Sequence, residues 1–333
     1  MNHHPSSRLI TCALGITLGL LGGATPVLAQ AWTPPQGEGT VSVQFQDAFV
    51  KYHLLPTVRR DRGQIRGETL MADFTYGISD KVAVSIALPF VASRYRGSTP
   101  HDPATDNGAF HSTFQDLRFD IRYNISRKGL VFTPFAGTIV PSHGYQYFAH
   151  SAVGRHVREL QIGTYWAKLL DPVLPGLFLQ GRYSYGFAER IVDISHNRSN
   201  LDLEAGYFVK PELRVFVLGA SQLTHGGVDL TGNSRPILGE ILWPHHDQIG
   251  RDNYLNVGAG AAFDLTPTVG IYGSVIRTVA GRNTHALHHA LTIGMSWSFT
   301  TRGAASRASR AMPKPDCEAE VQTLEKCICL KDQ

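Results

Sequence analysis

The feature that most constrains the fold is a strict alternation of apolar and polar side chains, clearest in residues 116–125. The apolar positions of this stretch are Leu117, Phe119, Ile121, Tyr123 and Ile125. The polar positions between them are Asp116, Arg118, Asp120, Arg122 and Asn124. Because successive side chains of a strand point to opposite faces, one face is expected to be apolar and the other charged. A barrel wall between lipid and a wet interior accommodates both faces, whereas a soluble sheet would bury the charged face at a cost.

The same alternation recurs along the chain and predicts twelve strands joined by alternately short and long connections. The predicted strands are 40–52, 68–78, 82–92, 114–125, 130–140, 159–169, 177–188, 199–209, 213–223, 253–265, 269–278 and 290–299. The predicted long connections are 53–67, 93–113, 141–158, 189–198, 224–252 and 279–289. Most of these strands reach the roughly 9–11 residues that a tilted strand needs to cross a bilayer. We therefore predict an all-β protein, a transmembrane antiparallel up-and-down barrel of about 12 strands, in the outer membrane of a Gram-negative-type bacterium.

The two ends of the chain differ in composition from this central region. Arg8 precedes an apolar core at 9–21 and small residues at 27–29, an arrangement typical of a secretory signal peptide. The alternative is a membrane anchor, against which the shortness of the apolar core argues. The predicted segments are a signal peptide at 1–29, an outer-membrane barrel at 30–299, a flexible linker at 300–315 and a Cys-containing tail at 316–333, for which a helix is one alternative.

Cysteines after the signal peptide are confined to the tail, at Cys317, Cys327 and Cys329. Apolar residues in 316–330 fall at helical spacing, and a helix would hold Cys317 and Cys327 about 15 Å apart, beyond disulfide reach. Either the tail is a helix whose thiols are free for a periplasmic partner, or it is a bent segment closed by a bridge.

The last predicted strand carries a pattern of its own. Thr292, Gly294, Trp297 and Phe299 match the polar-x-Gly-x-x-hydrophobic-x-aromatic pattern of the last strand in bacterial outer-membrane barrels. This resemblance implies recognition by the barrel assembly machinery and insertion into outer-membrane lipid. The pattern normally closes the chain, whereas 34 residues follow Phe299 here.

The wider chain resembles an outer-membrane family named for the meta-pathway of phenol degradation. The resemblance spans about residues 37–299 and rests on short motifs, such as Tyr-Gly-Ile-Ser-Asp-Lys-Val at 76–82 and Leu-Pro-Phe at 88–90. The further motifs lie at 115–118, 122–123, 140–144 and 281–284. The resemblance implies an outer-membrane channel for small solutes, with aromatic or hydrophobic compounds as the candidate class.

The charged faces of the strands supply the candidate functional residues, which we expect to line the lumen. They are Asp73, Asp116, Arg118, Asp120, Arg122, Glu159, Arg182, Asp202, Glu204 and Arg214. One interpretation is a mixed-charge pore through which a polar or zwitterionic small-molecule solute diffuses passively. The other is a network of ion pairs that fills the lumen, in a structural or interaction barrel whose tail docks a partner. Eight strands leave room mainly for side chains and 16–18 leave a channel, so twelve strands allow either.

The sequence offers little support for an enzymatic role. A surface hydrolase would need a nucleophile and a base, for which Ser221, His225 and Asp229 are the candidates, but no Gly-x-Ser-x-Gly motif is present. We therefore do not expect an enzyme. The net charge of +4, without a basic stripe, argues against a nucleic-acid partner.

The chain has 15 histidines, and several of them cluster in the predicted long loops. His285, His288 and His289 fall in one loop, and His245 and His246 precede an aspartate in another. Adjacent histidines bind zinc or copper when other ligands converge on them. We interpret these histidines as solvated loop residues, and we expect neither a metal ion nor another cofactor.

Overall fold

The computed structural model describes residues 19–20, 23–24, 31–231 and 234–301. Within these ranges twelve antiparallel strands, numbered here along the chain, form a barrel wall. They are β1 (Glu38–Leu54), β2 (Arg59–Gly77), β3 (Val82–Arg96), β4 (His111–Phe114 and Asp116–Tyr123), β5 (Leu130–Pro141), β6 (Glu159–Leu169), β7 (Leu177–Ala188), β8 (His196–Lys210), β9 (Leu213–Gly226), β10 (Asn253–Thr266), β11 (Val269–Arg282) and β12 (Thr284–Thr300).

Each strand pairs with the next one along the chain, and β1 lies beside β12, so the sheet closes on itself. Side chains also cross this closing seam. The Gln46 amide donates to the Thr292 hydroxyl at 3.0 Å, and the hydroxyls of Thr40 and Ser298 lie 3.3 Å apart. Closure leaves no unpaired strand edge, which a sheet in lipid requires. The predicted twelve-stranded antiparallel barrel is confirmed.

The ends of the chain are described less completely. Gly19–Leu20 and Gly23–Ala24 are two-residue strands that pair with each other, within the predicted signal peptide. The rest of the segment 1–29 lies outside the described residues, as do the predicted linker beyond Thr301 and the whole cysteine-containing tail. The predictions for these segments therefore stay predictions.

The two faces of the wall have opposite chemistry. Outward positions carry apolar side chains that are exposed on the isolated barrel, such as Leu70, Ile121 and Val217 at 50%, 52% and 59%. Inward positions carry buried polar groups such as Gln44 and Asn256. Lipid would cover the outward belt and stabilise it by the transfer of apolar surface out of water.

The connections differ at the two ends of the barrel. One end has tight turns, such as 211–212 between β8 and β9 and 267–268 between β10 and β11. The other end carries loops 97–110, 142–158 and 227–252. In outer-membrane barrels the short turns face the periplasm, so we refer to these as the inner and outer ends.

The predicted long loops at 53–67 and 279–289 are wrong. Strands β1 and β2 continue to a turn at 55–58, and β11 meets β12 at Asn283 alone, where φ is 54°. Residue 283 suits this turn because asparagine tolerates the left-handed region. The extension of the β1–β2 hairpin was missed because residues 59–62, Arg-Arg-Asp-Arg, are polar on both faces and show no alternation.

A bulge divides β4 and shapes the interior. Pro89 of β3 has a backbone carbonyl but no N–H, and its carbonyl oxygen accepts a hydrogen bond from the backbone N–H of Gln115 at 2.9 Å. Three residues of β4 face two of β3 between Phe114 and Arg118. The extra residue brings the consecutive side chains of Gln115 and Asp116 both to buried positions.

In the parts of the chain that the structure describes, helical structure occurs only in the loop 227–252. It comprises α1 (Ser234–Leu242), a 3₁₀ turn (Trp243–His245) and α2 (His246–Ile249). Among the described residues, none of the helices has the length and apolar character needed to span a membrane.

Candidate functional site

The lumen collects the charged residues that the strand faces predict. Of the ten, Arg118 and Asp120 are partly exposed and the other eight are buried. The buried ones are Asp73, Asp116, Arg122, Glu159, Arg182, Asp202, Glu204 and Arg214. Except for Gln115 at the bulge, the neighbouring side chains along each strand point outward, as Ile121 does between Asp120 and Arg122. All ten side chains therefore face the interior, and their role in transport stays a prediction.

One layer of the interior is built around Arg122 on β4. Its guanidinium donates to both carboxylate oxygens of Asp120, at 2.6 and 3.0 Å. The same group lies over the ring of Tyr165, 4.6 Å from the centroid. A bidentate pair that also stacks on an aromatic ring is held in one geometry, so this layer is rigid.

A second layer is centred on Arg182 of β7. Arg182 donates to the Gln161 carbonyl oxygen at 2.8 Å, lies 3.6 Å from the Asp202 carboxylate and covers the ring of Phe135 at 4.8 Å. The Gln161 amide in turn donates to Glu159 at 2.6 Å. Three neighbouring strands, β6, β7 and β8, therefore share one polar network, and β5 adds the ring of Phe135.

Arg198 belongs to this network and was missed by the sequence analysis. It lies 3.6 Å from the Glu159 carboxylate. We predicted that β8 begins at residue 199, whereas the strand begins at His196. The inward series 198, 200, 202 and 204 was visible in the sequence as an extension of the same alternation.

Above these layers lies a cavity of about 500 Å³. Six of the ten predicted residues line it: Asp116, Arg118, Asp120, Glu159, Arg182 and Asp202. Asp73, Arg122, Glu204 and Arg214 lie outside this lining, in the inner half of the barrel. The further charged lining residues are Arg62, Arg155, Arg198, Arg235, Asp247 and Asp252. Among the described residues, six arginines thus face six carboxylates around one chamber.

Three loops cover the outer side of the cavity, and Asp106 ties two of them together. Its carboxylate accepts hydrogen bonds from the backbone N–H groups of His101, His150 and Ser151, at 2.8, 3.0 and 2.9 Å. These bonds join loop 97–110 to loop 142–158. The third loop attaches through Gln248, whose amide donates to the Arg155 carbonyl at 2.8 Å, and through the Arg155–Asp252 ion pair.

Histidines form much of the underside of this cap. We define the outer histidine cluster as His53, His101, His150, His246, Asp247 and His285, all of which line the cavity. The ring of His101 stacks on that of His150 with centroids 3.7 Å apart, and the ring of His246 stacks on Trp243 at 4.3 Å. The placement of His246 and Asp247 in a loop agrees with the sequence analysis. His285, His288 and His289 instead lie in β12, so their predicted loop position is wrong.

Burial disfavours protonation of two loop histidines, His101 and His150. It lowers the pKa of His101 to about 3, and the neighbouring His150 adds to this effect. Burial, together with the proximity of His285, lowers the pKa of His150 to about 4. Burial opposes ionisation of Asp247, but His246 and the other facing histidines outweigh it and hold its pKa below the usual value. The two imidazoles are therefore neutral at pH 7.

The inner end of the lumen is filled differently, by the segment that precedes β1. Ala31 is fully buried, and its carbonyl accepts a hydrogen bond from the Thr133 hydroxyl at 2.5 Å. Trp32 packs with Ala31 against the inward side chains of Phe135 and Tyr165. The aromatic layer beneath the cavity thus rests on the N-terminal segment.

The candidate hydrolase residues are not brought together. The Ser221 hydroxyl donates to the Leu201 carbonyl at 3.4 Å, whereas His225 pairs with Ser199 at 2.7 Å. The Asp229 carboxylate accepts from Arg282 instead. The geometry gives the proposed Ser221 nucleophile no histidine partner among the described residues.

The residues of the terminal pattern all lie in β12. Thr292 is buried at the β1 seam, and Trp297 is 53% exposed on the outer face. Phe299 stacks on Phe74 with centroids 6.1 Å apart. Gly294 makes room for Tyr272, whose ring would lie 2.2 Å from a Cβ at this position. These contacts give the pattern a structural role in closing the barrel, and recognition by the assembly machinery stays a prediction.

Comparison with solved structures places this architecture among outer-membrane barrels. An outer membrane channel from Pseudomonas putida F1 superposes with a TM-score of 0.63 at 12% identity, covering 81% of this chain and 98% of that one. The NanC porin gives a TM-score of 0.46 at 10% identity, covering 77% and 98%. The KdgM porin gives 0.40 at 8% identity, covering 78% and 99%.

The similarity to the Pseudomonas channel extends to the fold alone, because the sequences share so few residues. No protein-family model and no curated protein matches this chain. The fold is that of an outer-membrane β-barrel, and its apolar outward belt fits an outer-membrane location. Membership of the phenol-degradation family stays a prediction.

Proposed function

We propose that the protein is an outer-membrane channel for the passive uptake of small solutes, in which the outer chamber selects molecules with balanced charge. The observation that carries this proposal is the lining of six arginines and six carboxylates around about 500 Å³. A chamber of this size accepts one small organic molecule. Neighbouring positive and negative groups offer partners to both ends of a zwitterion, whereas a net anion or cation meets repulsion from half of the lining.

The proposal concerns polar and zwitterionic solutes, and aromatic compounds fall within it when they carry such groups. Phe135, Tyr147 and Trp243 also line the chamber and offer apolar surface for a ring. The resemblance to the phenol-degradation family is a second reason to propose an aromatic solute. The solute gradient drives transport, and no cofactor takes part.

Conductance of the protein in planar bilayers tests this function. We expect discrete open steps, with a shift of ion selectivity toward cations for Arg182→Gln and toward anions for Asp202→Asn, each of about twofold or more. The matched control is Arg277→Gln, because Arg277 is exposed on the outward face of β11 and its loss should leave selectivity unchanged. In liposome swelling, zwitterionic phenylalanine should enter faster than the similarly sized anion phenyllactate.

A second candidate is a closed structural or interaction barrel, and one observation favours it. The buried Ala31 and the partly buried Trp32 fill the inner end of the lumen beneath the aromatic layer. In that case bilayers containing many inserted molecules would stay silent for every variant. The partner would then be sought through Cys317, Cys327 and Cys329, which lie outside the described residues.

A further inference from the structure

Three histidines of the outer cluster form a compact group with their ligand atoms facing one another. His53 comes from the end of β1, His285 from the start of β12, and His150 from loop 142–158. Their ligand nitrogens all lie within 4.8 Å of one another. In a tetrahedral site with Zn–N bonds of about 2.1 Å the nitrogens lie about 3.4 Å apart. Binding would therefore need each pair of rings to approach by at most about 1.4 Å, a movement that the two side chains share.

His150 is held as a metal ligand would be. Its Nε2 lies 3.0 Å from the Thr99 carbonyl and must donate to it, which leaves Nδ1 with a free lone pair. The side chain is 2% exposed, and Nδ1 has no hydrogen-bond partner among the described residues. An outer carbonyl that fixes the tautomer of a histidine is the usual support for a metal-binding imidazole. A bound cation would satisfy the buried Nδ1 atom.

A second group, His101, His246 and Asp247, adjoins the first and also has ligand atoms within 4.8 Å of one another. Here His246 already has partners at both ring nitrogens, although the buried Nδ1 of His101 has no hydrogen-bond partner among the described residues. His246 donates through Nδ1 to the Trp243 carbonyl at 2.8 Å, and its Nε2 lies 3.4 Å from the Asp247 carboxylate. This second group is therefore the weaker candidate, although Asp247 would offset part of the charge of an ion bound next to it.

We propose that His53, His150 and His285 bind a divalent transition-metal cation, such as Zn²⁺, at the outer end of the lumen. Three imidazoles suit borderline cations, whereas Ca²⁺ and Mg²⁺ prefer oxygen ligands. The bound ion would join loop 142–158 to β1 and β12, the two strands that close the barrel. It would therefore hold the cap in place over the chamber. This inference does not depend on transport, because a closed barrel would bind the ion equally well.

The test is a Zn²⁺ titration of the full mature protein, prepared without a histidine tag and stripped with a chelator. We expect one ion per barrel, with affinity reduced about 100-fold or more in His150→Gln and in His285→Gln. Glutamine at 150 keeps a donor for the Thr99 carbonyl, and heat-modifiable gel migration verifies that each variant is folded. Co²⁺ gives a second measurement, because visible absorption bands typical of tetrahedral nitrogen coordination should form in the wild type and be lost in both variants.

The matched control is the double variant His288→Gln/His289→Gln, which removes two histidines from the same strand but outside the cluster. It should bind Zn²⁺ as the wild type does. Absence of binding to the wild type would overturn the proposal. So would loss of binding in the control, or loss in His246→Gln combined with full retention in His150→Gln.

Discussion

The outer and inner halves of the lumen use the same strands in opposite ways. The outer half encloses a chamber roofed by three loops, which are joined mainly through Asp106 and the outer histidine cluster. The inner half is filled by side chains, with Arg122 and Asp120 paired above the N-terminal segment at Ala31 and Trp32. The wall alone therefore does not decide whether a twelve-stranded barrel is open. The decision rests on what non-barrel segments and long side chains place inside it.

The strongest test of this contrast removes the central cation of the inner half. Arg122→Ala leaves the partly exposed carboxylate of Asp120 without its bidentate partner, and the buried Asp73 loses a nearby positive charge. We expect the free energy of unfolding to fall by about 3–5 kcal/mol, the usual cost of breaking a buried pair. Denaturant unfolding in detergent, followed by tryptophan fluorescence, measures it. The outward-facing Arg277→Ala serves as the control, and a loss below about 1 kcal/mol for Arg122→Ala would show that the inner half is not the rigid one.

The corresponding change in the outer half should act on the cap and spare the barrel. Asp106→Ala leaves three backbone N–H groups without their acceptor, at His101, His150 and Ser151. We expect docking of the loops to weaken by about 2–3 kcal/mol, which raises the rate of proteolysis within 97–110 and 142–158 by about 30- to 150-fold. Glu240→Gln, an exposed change in the third loop, should leave the rate unaltered. If the two halves are independent, the denaturant concentration at the midpoint of global unfolding should be the same for Asp106→Ala and the wild type. A lower midpoint for the variant would contradict this independence.

The wall could be predicted from the sequence because strand alternation is local information. The direction of each of the ten lumen residues follows from the two-residue period alone, and so does the outward belt. The errors fall where lipid no longer imposes that period. At 59–62 both faces of the hairpin meet water, so arginine and aspartate occupy consecutive positions and the strand is hidden. The omission of Arg198 has a different origin, because the alternation continues to this residue and the predicted strand began one residue too late to include it.

The interior above the wall could not be predicted in this way. His53, His101, His150 and His285 come from four separate parts of the chain, and their approach depends on how two loops fold over the β1–β12 seam. Loop conformation of this kind is set by single contacts such as those of Asp106, which carry no periodic signal. Adjacency in the sequence instead suggests pairs such as His288 and His289, and these two histidines lie outside the cluster. Position in the chain was a poor guide to convergence in space.

The smallest expected effect concerns the fit of the N-terminal segment to the inner half. The Thr133 hydroxyl donates to the Ala31 carbonyl at 2.5 Å and accepts from Asn124 at 2.7 Å, so Thr133→Val removes both bonds while keeping the shape of the side chain. Only the bond to Ala31 holds the N-terminal segment. The loss of one buried hydrogen bond costs about 1 kcal/mol, which corresponds to about fivefold faster hydrogen exchange of the backbone amides in 31–36. Thr138→Val is the matched control on the same strand, because Thr138 lines the outer chamber and its hydroxyl donates to the Glu159 carbonyl at 3.0 Å. If the halves are independent, each valine accelerates exchange on its own side alone. Equal acceleration of 31–36 by both variants would mean that the chamber and the packed inner end move as one unit, and that loosening the cap also loosens the plug.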